Sequence, residues 1–142
     1  MEPEHDVVDR VNSQRERGAE RYLRILRDAL LDLHYPENEL RIGHLAECIE
    51  RGREPELRKL RDPARYMKEE LARLTARRRS GANCGAQRDG GFLPYAHMGA
   101  VRLDSLRRCL EEVRGDGVAG DLVECGTRRG GGAIFLRGYV EA

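Results

Sequence analysis

The sequence predicts a mainly α-helical chain: a helical N-terminal region followed by the first strand–turn–helix of an incomplete Rossmann-like α/β domain. Three observations lead to this prediction. Apolar residues recur at three- and four-residue steps through most of residues 13–79. A glycine-rich, polar stretch follows over residues 80–94. Near the C-terminal end, a short strand-like run enters a second glycine cluster and then a helix-compatible stretch.

The composition excludes several classes of function. The 142 residues include 26 basic and 25 acidic side chains, and the resulting net charge of +1 argues against a dedicated nucleic-acid binder. No apolar run approaches the ~18–20 residues of a membrane helix, and the acidic N-terminus lacks a signal-peptide core. The 4 cysteines form no CxxC pair. We therefore expect no nucleic-acid or membrane partner and a reducing, cytoplasmic location.

Within the helical N-terminal region, residues 13–79, the helix boundaries follow from capping residues and prolines. Residues 1–12 are polar and are expected to form a disordered N-terminus. The first helix is expected to end at Pro36, because the residue before a proline is disfavoured in the α conformation. Shorter helical stretches follow over residues 40–52 and 55–60. Their ends are marked by glycine and polar residues.

Asp62 and Pro63 form a clear helix start, with an N-cap acceptor followed by proline at the first helical position. The helix that follows ends in three consecutive arginines, residues 77–79. Cations in the last turn interact favourably with the helix dipole, which favours a solvated cap. Contact with a phosphate or an acidic partner is the alternative reading of these arginines.

Residues 95–142 are expected to form a pre-domain helix and a truncated first βα unit. The helix runs from about Met98 to Val113 and ends at glycines 115 and 117. Asp121 to Cys125 is the strand-like run, and residues 126–132 are the glycine-rich turn. Such a turn lets the backbone approach a ligand closely and directs the N-terminus of the next helix at it.

The turn has the form E-x-G-x-x-x-G over residues 124–130, which is the first motif of class I methyltransferases. It fits neither the dinucleotide pattern G-x-G-x-x-G nor the phosphate loop G-x-x-x-x-G-K-[ST]. Glu124 suits a cationic ligand and would repel a pyrophosphate. No residue pattern indicates a metal site, because no two histidines have metal-ligand spacing. His97 is read as a helix N-terminal or packing residue, with a base near the substrate as the alternative.

Three stretches of the chain resemble the macrocin O-methyltransferase family, which methylates sugar hydroxyls of macrolides and related antibiotics. They are residues 21–30, 96–106 and 117–131. The resemblance implies S-adenosylmethionine as the cofactor and a sugar-bearing small molecule as the substrate. Residues from about 37 to 91 have no counterpart in it. They are read as a helical elaboration or a cap over the substrate.

The resemblance also implies which residues bind the cofactor. These are Met98, Gly99, Glu124, Cys125, Gly126, Thr127, Arg128, Gly130 and Gly131. Cys125 stands where the family has threonine, and an arginine replaces an aromatic residue of the turn. Magnesium and the acid/base pair of the family belong to residues after this motif. We therefore expect no catalytic and no metal-binding residue in this chain.

The sequence thus predicts the N-terminal portion of an S-adenosylmethionine-dependent O-methyltransferase of antibiotic biosynthesis, inactive by itself. A homo-oligomer is among the assemblies consistent with it. The alternative is a non-enzymatic helical interaction module or a truncated paralogue. The two differ in whether a complete Rossmann sheet is formed.

Overall fold

A computed structural model describes residues 4–80 and 93–142, with side chains from Asp9 onward. Seven helices lie in these ranges: α1 (Glu4–Leu30), α2 (Pro36–Glu50), α3 (Leu57–Arg61), α4 (Pro63–Tyr66), α5 (Lys68–Ser80), α6 (Ala100–Gly115) and α7 (Gly131–Glu141). The same ranges contain no strand, so the mainly α prediction is confirmed. None of the described helices has the length and apolar character needed to cross a membrane.

The N-terminal helix differs from the prediction at both ends. It begins at Glu4, so residues 4–12, expected to be disordered, are helical. This segment contains neither glycine nor proline, the two residues that most disfavour a helix. The helix ends at Leu30, and Pro36 is the first residue of α2. Proline at the first helical position loses no hydrogen bond, so here it begins a helix.

The predicted helix start at Asp62 is confirmed. The Asp62 carboxylate accepts a hydrogen bond from the Arg65 N–H at 3.1 Å, and Pro63 is the first residue of α4. The helix that follows is interrupted at Met67, whose φ and ψ of −134° and 38° are not helical. A second helix, α5, then runs to Ser80. Most of the predicted 80–94 loop lies outside the described residues.

The hydrophobic core joins the end of α1 to α6 and α7. Leu103 and Phe135 are almost fully enclosed, at 0% and 1% exposed. The other buried members are Leu30, Leu31, Ala96 and Ala100, and Leu26, Leu33, Met98 and Leu106 pack against them. Helices α2 to α5 contact one another, and α5 also contacts α6. The core therefore fixes the N-terminus of α7, the element that follows the glycine-rich turn.

Arg78 corrects the expectation that the three arginines at the end of α5 form a solvated cap. Its side chain is only 7% exposed, and it forms ion pairs with Asp32 at 2.9 Å and with Glu39 at 3.3 Å. The neighbouring Arg79 is exposed. The prediction failed because it considered only the helix end, whereas the carboxylates that hold Arg78 belong to other parts of the chain.

Candidate cofactor-binding turn

The strand-like run 121–125 forms neither a strand nor a helix in the described part of the chain. A strand requires a hydrogen-bonded neighbour, and no described segment pairs with it as a strand. Leu122 and Val123 are consequently 49% and 81% exposed. Leu122 lines a groove beside α7. The other lining residues are Glu124, Ala133, Leu136, Arg137 and Val140.

The glycine-rich turn has a tightly folded backbone. Positive φ angles occur at Gly126 (85°), Arg128 (46°) and Gly130 (79°). The Gly130 N–H donates to the Thr127 carbonyl oxygen at 2.6 Å, which closes the turn. Gly130 is the N-cap residue of α7 in the left-handed conformation. Such a conformation costs about 1–3 kcal/mol at a non-glycine residue such as Arg128, and strained residues of this kind cluster at ligand sites.

The first two residues of α7 are glycines because other segments approach them closely. A Cβ atom on Gly131 would lie 2.5 Å from the Cα and N atoms of Ala96. A Cβ atom on Gly132 would overlap the Glu124 carboxylate. The N-terminus of α7 is therefore enclosed by the segment before α6 and by the Glu124 side chain. This arrangement requires a residue without a side chain at Gly131, where the neighbours are backbone atoms, whereas a side chain at Gly132 would displace the Glu124 carboxylate.

Glu124 places a carboxylate at the N-terminus of α7. Its Oε2 atom is buried and has no hydrogen-bond partner among the residues that the structure describes. Buried polar atoms are normally hydrogen-bonded, and an exception requires an explanation. A carboxylate in this position is stabilised by the helix dipole. An unsatisfied acceptor remains available to a donor on a ligand.

His97 is the second such residue, and sequence reasoning did not select it for the site. Its Nε2 atom is buried, and it too is unpaired within ranges 9–80 and 93–142. Burial, followed by the charges of Arg128 and Arg129, lowers the pKa of His97. A neutral imidazole therefore lies next to the turn at neutral pH. These are the two buried unsatisfied side-chain atoms found in the described ranges, and both lie beside the glycine-rich turn.

The remaining predicted site residues have mixed environments. Cys125, Gly126, Thr127 and Arg128 are exposed on the turn. Gly99 is buried and is the N-cap residue of α6. The Met98 side chain packs against the hydrophobic core, so it contributes to the fold as well as standing beside the turn. The described residues contain no group of three or more histidine, cysteine, aspartate or glutamate side chains that could hold a metal ion.

The lowered pKa of His97 makes a testable contribution to stability. Its unfolded value is near 6.5, and the folded state binds the proton less tightly. Its stabilising contribution is complete above that pH and is lost as the pH falls towards the folded pKa. We expect the free energy of unfolding to fall between about pH 7.5 and about pH 5.5 and to fall less in His97→Asn. Urea titrations at several pH values measure this, with the exposed His34→Asn as the control. Parallel pH profiles for His97→Asn and the original chain would contradict it.

The chain matches the family model described as macrocin-O-methyltransferase (TylF) over residues 19–142. This range includes residues 37–91, for which the sequence resemblance had no counterpart. No solved structure gives a significant match to the chain.

Curated relatives match a shorter part of the chain. The 8-demethyl-8-(2,3-dimethoxy-alpha-L-rhamnosyl)-tetracenomycin-C 4'-O-methyltransferase of Streptomyces olivaceus is 47% identical over 55 residues, which are 39% of this chain and 21% of the relative. Demethyldecarbamoylnovobiocin O-methyltransferase of Streptomyces niveus is 44% identical over 55 residues, with the same coverage of 39% and 21%. Mycinamicin III 3''-O-methyltransferase of Micromonospora griseorubida is 47% identical over 48 residues, 34% of this chain and 19% of the relative.

The matched segment thus spans about one fifth of the length of these relatives, at 19–21%. The family model, in contrast, covers most of this chain. The predicted resemblance is confirmed, and this protein belongs to the macrocin-O-methyltransferase family.

Proposed function

We propose that this chain is the N-terminal portion of an S-adenosylmethionine-dependent O-methyltransferase that methylates a sugar hydroxyl of a macrolide or related natural product. Membership of the family supports the reaction class. The relatives are named as O-methyltransferases of a rhamnosyl tetracenomycin, demethyldecarbamoylnovobiocin and mycinamicin III. These names favour a methyltransferase over the interaction module.

The observation that carries the proposal is the pair of unsatisfied atoms at the turn. The methionine end of S-adenosylmethionine carries an ammonium and a carboxylate group. Glu124 Oε2 is an acceptor without a donor, which suits the ammonium group. His97 in the tautomer with its proton on Nε2, the Arg128 side chain and the N–H groups at the start of α7 can donate hydrogen bonds, which suits the carboxylate. The residues present therefore fit the cofactor that the family implies.

In this proposal the chain positions the cofactor, and the cofactor supplies an electrophilic methyl group on its sulfonium. Transfer forms an oxygen–carbon bond on the sugar, breaks the carbon–sulfur bond and releases the hydroxyl proton to a base. Orientation of the two reactants is expected to supply much of the rate. We assign neither that base nor the magnesium of the family to the described residues, because they contain no ligand cluster.

The proposal gives residues 121–125 the role of the first strand of a Rossmann-like sheet. The exposure of Leu122 and Val123 supports this role. A strand neighbour would pair the backbone groups and cover the apolar side chains. The chain alone is expected to provide one wall of the cofactor site and no turnover. A cytoplasmic location and a homo-oligomeric assembly remain predictions.

Cys125 allows a direct test, because it is an exposed free thiol on the turn. We expect S-adenosylhomocysteine to slow alkylation of Cys125 by iodoacetamide by about half when its concentration equals its dissociation constant. Mass spectrometry of each alkylated peptide measures the rate, and calorimetric titration gives the dissociation constant. Cys109, exposed on α6, is the internal control.

The control variants separate the site from general effects of the ligand. Glu124→Gln should weaken the protection of Cys125, whereas Glu112→Gln on the exposed face of α6 should leave it unchanged. Equal alkylation rates with and without millimolar S-adenosylhomocysteine would overturn the assignment of this turn as a cofactor site in this chain.

A further inference from the structure

A buried guanidinium holds three separate parts of the fold together. Arg78 Nη1 donates to the Asp32 carbonyl oxygen at 2.7 Å and to its carboxylate at 2.9 Å. Arg78 Nη2 donates to Glu39 Oε2 at 3.3 Å. The side chains of Arg78, Asp32 and Glu39 are 7%, 16% and 8% exposed. We call these three residues the charge cluster.

The charge cluster also holds the segment before α6, which packs against the first residue of α7. The Leu93 N–H donates to Glu39 Oε2 at 2.9 Å, the same oxygen that Arg78 contacts. Residues 93–99, which we call the bridge segment, connect this point to the start of α6. One carboxylate oxygen therefore joins the end of α5 to the first residue of the bridge segment.

The bridge segment continues from this contact to the candidate site. Arg129 Nη1 donates to the Pro94 carbonyl oxygen at 3.3 Å. The Ala96 N–H donates to the Leu30 carbonyl oxygen at 3.0 Å, and the Ala96 backbone closely approaches Gly131. His97 follows directly, with its unsatisfied Nε2. A displacement of Leu93 would therefore shift Pro94 and Ala96, which contact the glycine-rich turn and the start of α7.

Glu39 is the member of the charge cluster that links the buried ion pairs to the bridge segment. Two carboxylates face one guanidinium in a buried place. Burial raises the pKa of Asp32, the Arg78 charge and hydrogen bond oppose this, and Glu39 and Glu37 add to the increase. The Leu93 N–H is an additional hydrogen-bond donor to the Glu39 carboxylate. The position of Leu93 and the electrostatic balance of the charge cluster are thus coupled through Glu39.

We propose that Glu39 is a positioning residue for the cofactor site, through which α2 and α5 hold the bridge segment against the glycine-rich turn. The identity of the ligand rests on the proposed function, whereas the contact between Glu39 and the bridge segment does not. It gives part of the region 37–91 a role in the site. Glu39 acts through Leu93 and Ala96 and does not touch the cofactor.

Amide hydrogen exchange tests this without a ligand. Glu39→Ala is expected to speed exchange of the Ala96 amide by about tenfold or more, with amides in the middle of α6 unchanged. Glu39→Gln keeps an acceptor for the Leu93 N–H and should restore most of the protection. Glu47→Ala, at an exposed glutamate of α2, is the matched control. Unchanged Ala96 exchange in Glu39→Ala, or equally faster exchange throughout the chain, would overturn the proposal.

Cofactor binding provides the second measurement. The dissociation constant for S-adenosylhomocysteine should rise about tenfold in Glu39→Ala and recover in Glu39→Gln. If the original chain binds the ligand and Glu39→Ala binds it equally well, the positioning role is wrong. If the original chain does not bind it, the proposed function fails for this chain, while the Ala96 exchange rates still decide whether Glu39 holds the bridge segment.

Discussion

Replacing Gly131 with alanine is expected to destabilise the fold by about 2–3 kcal/mol, because the new methyl group has no space. Its Cβ would lie 2.5 Å from the Cα and N atoms of Ala96 and 2.6 Å from the carbonyl carbon of Tyr95. These are backbone atoms, which cannot move away as a flexible side chain can. The Ala96 N–H donates a hydrogen bond to the Leu30 carbonyl oxygen, so a shift of Ala96 would also disturb the end of α1. Urea denaturation monitored by circular dichroism measures the loss.

Gly18→Ala is the matched control for this substitution. Gly18 lies within α1, and nothing stands within 4 Å of the position that its Cβ would take. Alanine is favoured over glycine in a helix, so this variant should gain about 0.5–1 kcal/mol. The two variants make the same chemical change with opposite expected signs. A Gly131→Ala protein as stable as Gly18→Ala would show that α7 does not approach the bridge segment as closely as described.

Replacing Arg78 with methionine is expected to cost about 3–5 kcal/mol, because it removes the cation that faces two buried carboxylates. Asp32 and Glu39 would both remain enclosed. Burial raises the pKa of Asp32, and the variant lacks the Arg78 charge that opposes this increase. The loss should therefore be large at neutral pH and shrink as the pH falls and Asp32 is protonated. Denaturant titrations at about pH 7 and about pH 4.5 measure both effects.

Arg73→Met controls for the removal of a charge from the same helix. Arg73 and Glu69 form an exposed ion pair, with side chains 75% and 82% exposed. Pairs of this kind contribute about 0–1 kcal/mol, so little change is expected. Equal losses in the two variants, or an Arg78→Met loss that does not vary with pH, would contradict the buried charge cluster.

Local sequence signals correctly predicted the features that depend on neighbouring residues. The Asp62 cap and Pro63 begin α4 as expected, since both interactions occur within one helical turn. Helix α6 also ends at Gly115, within the pair of glycines expected to terminate it. Pro36 shows the limit of such signals. Proline is compatible with the residue after one helix and with the first residue of the next, and only the structure distinguishes them.

For the candidate site, the sequence identified the turn but not all of its surroundings. The glycine spacing predicted a tight turn at the start of α7, and the family resemblance selected Glu124 within it. The sequence favoured a packing role for His97 over a base near the substrate, because an isolated histidine before a helix is usually a packing residue. Its importance lies in an unsatisfied Nε2 atom beside two arginines, which is a property of packing.

The sequence by itself determined the family, the mainly helical character and the glycine-rich turn, because each depends on residue types at short spacing. Only the tertiary structure decided that Arg78 is buried, that Gly131 must lack a side chain and that Glu39 reaches the bridge segment. These features join residues far apart in the chain, such as Glu39 and Leu93. Their stability depends on desolvation and close packing, which short-range periodicity does not encode.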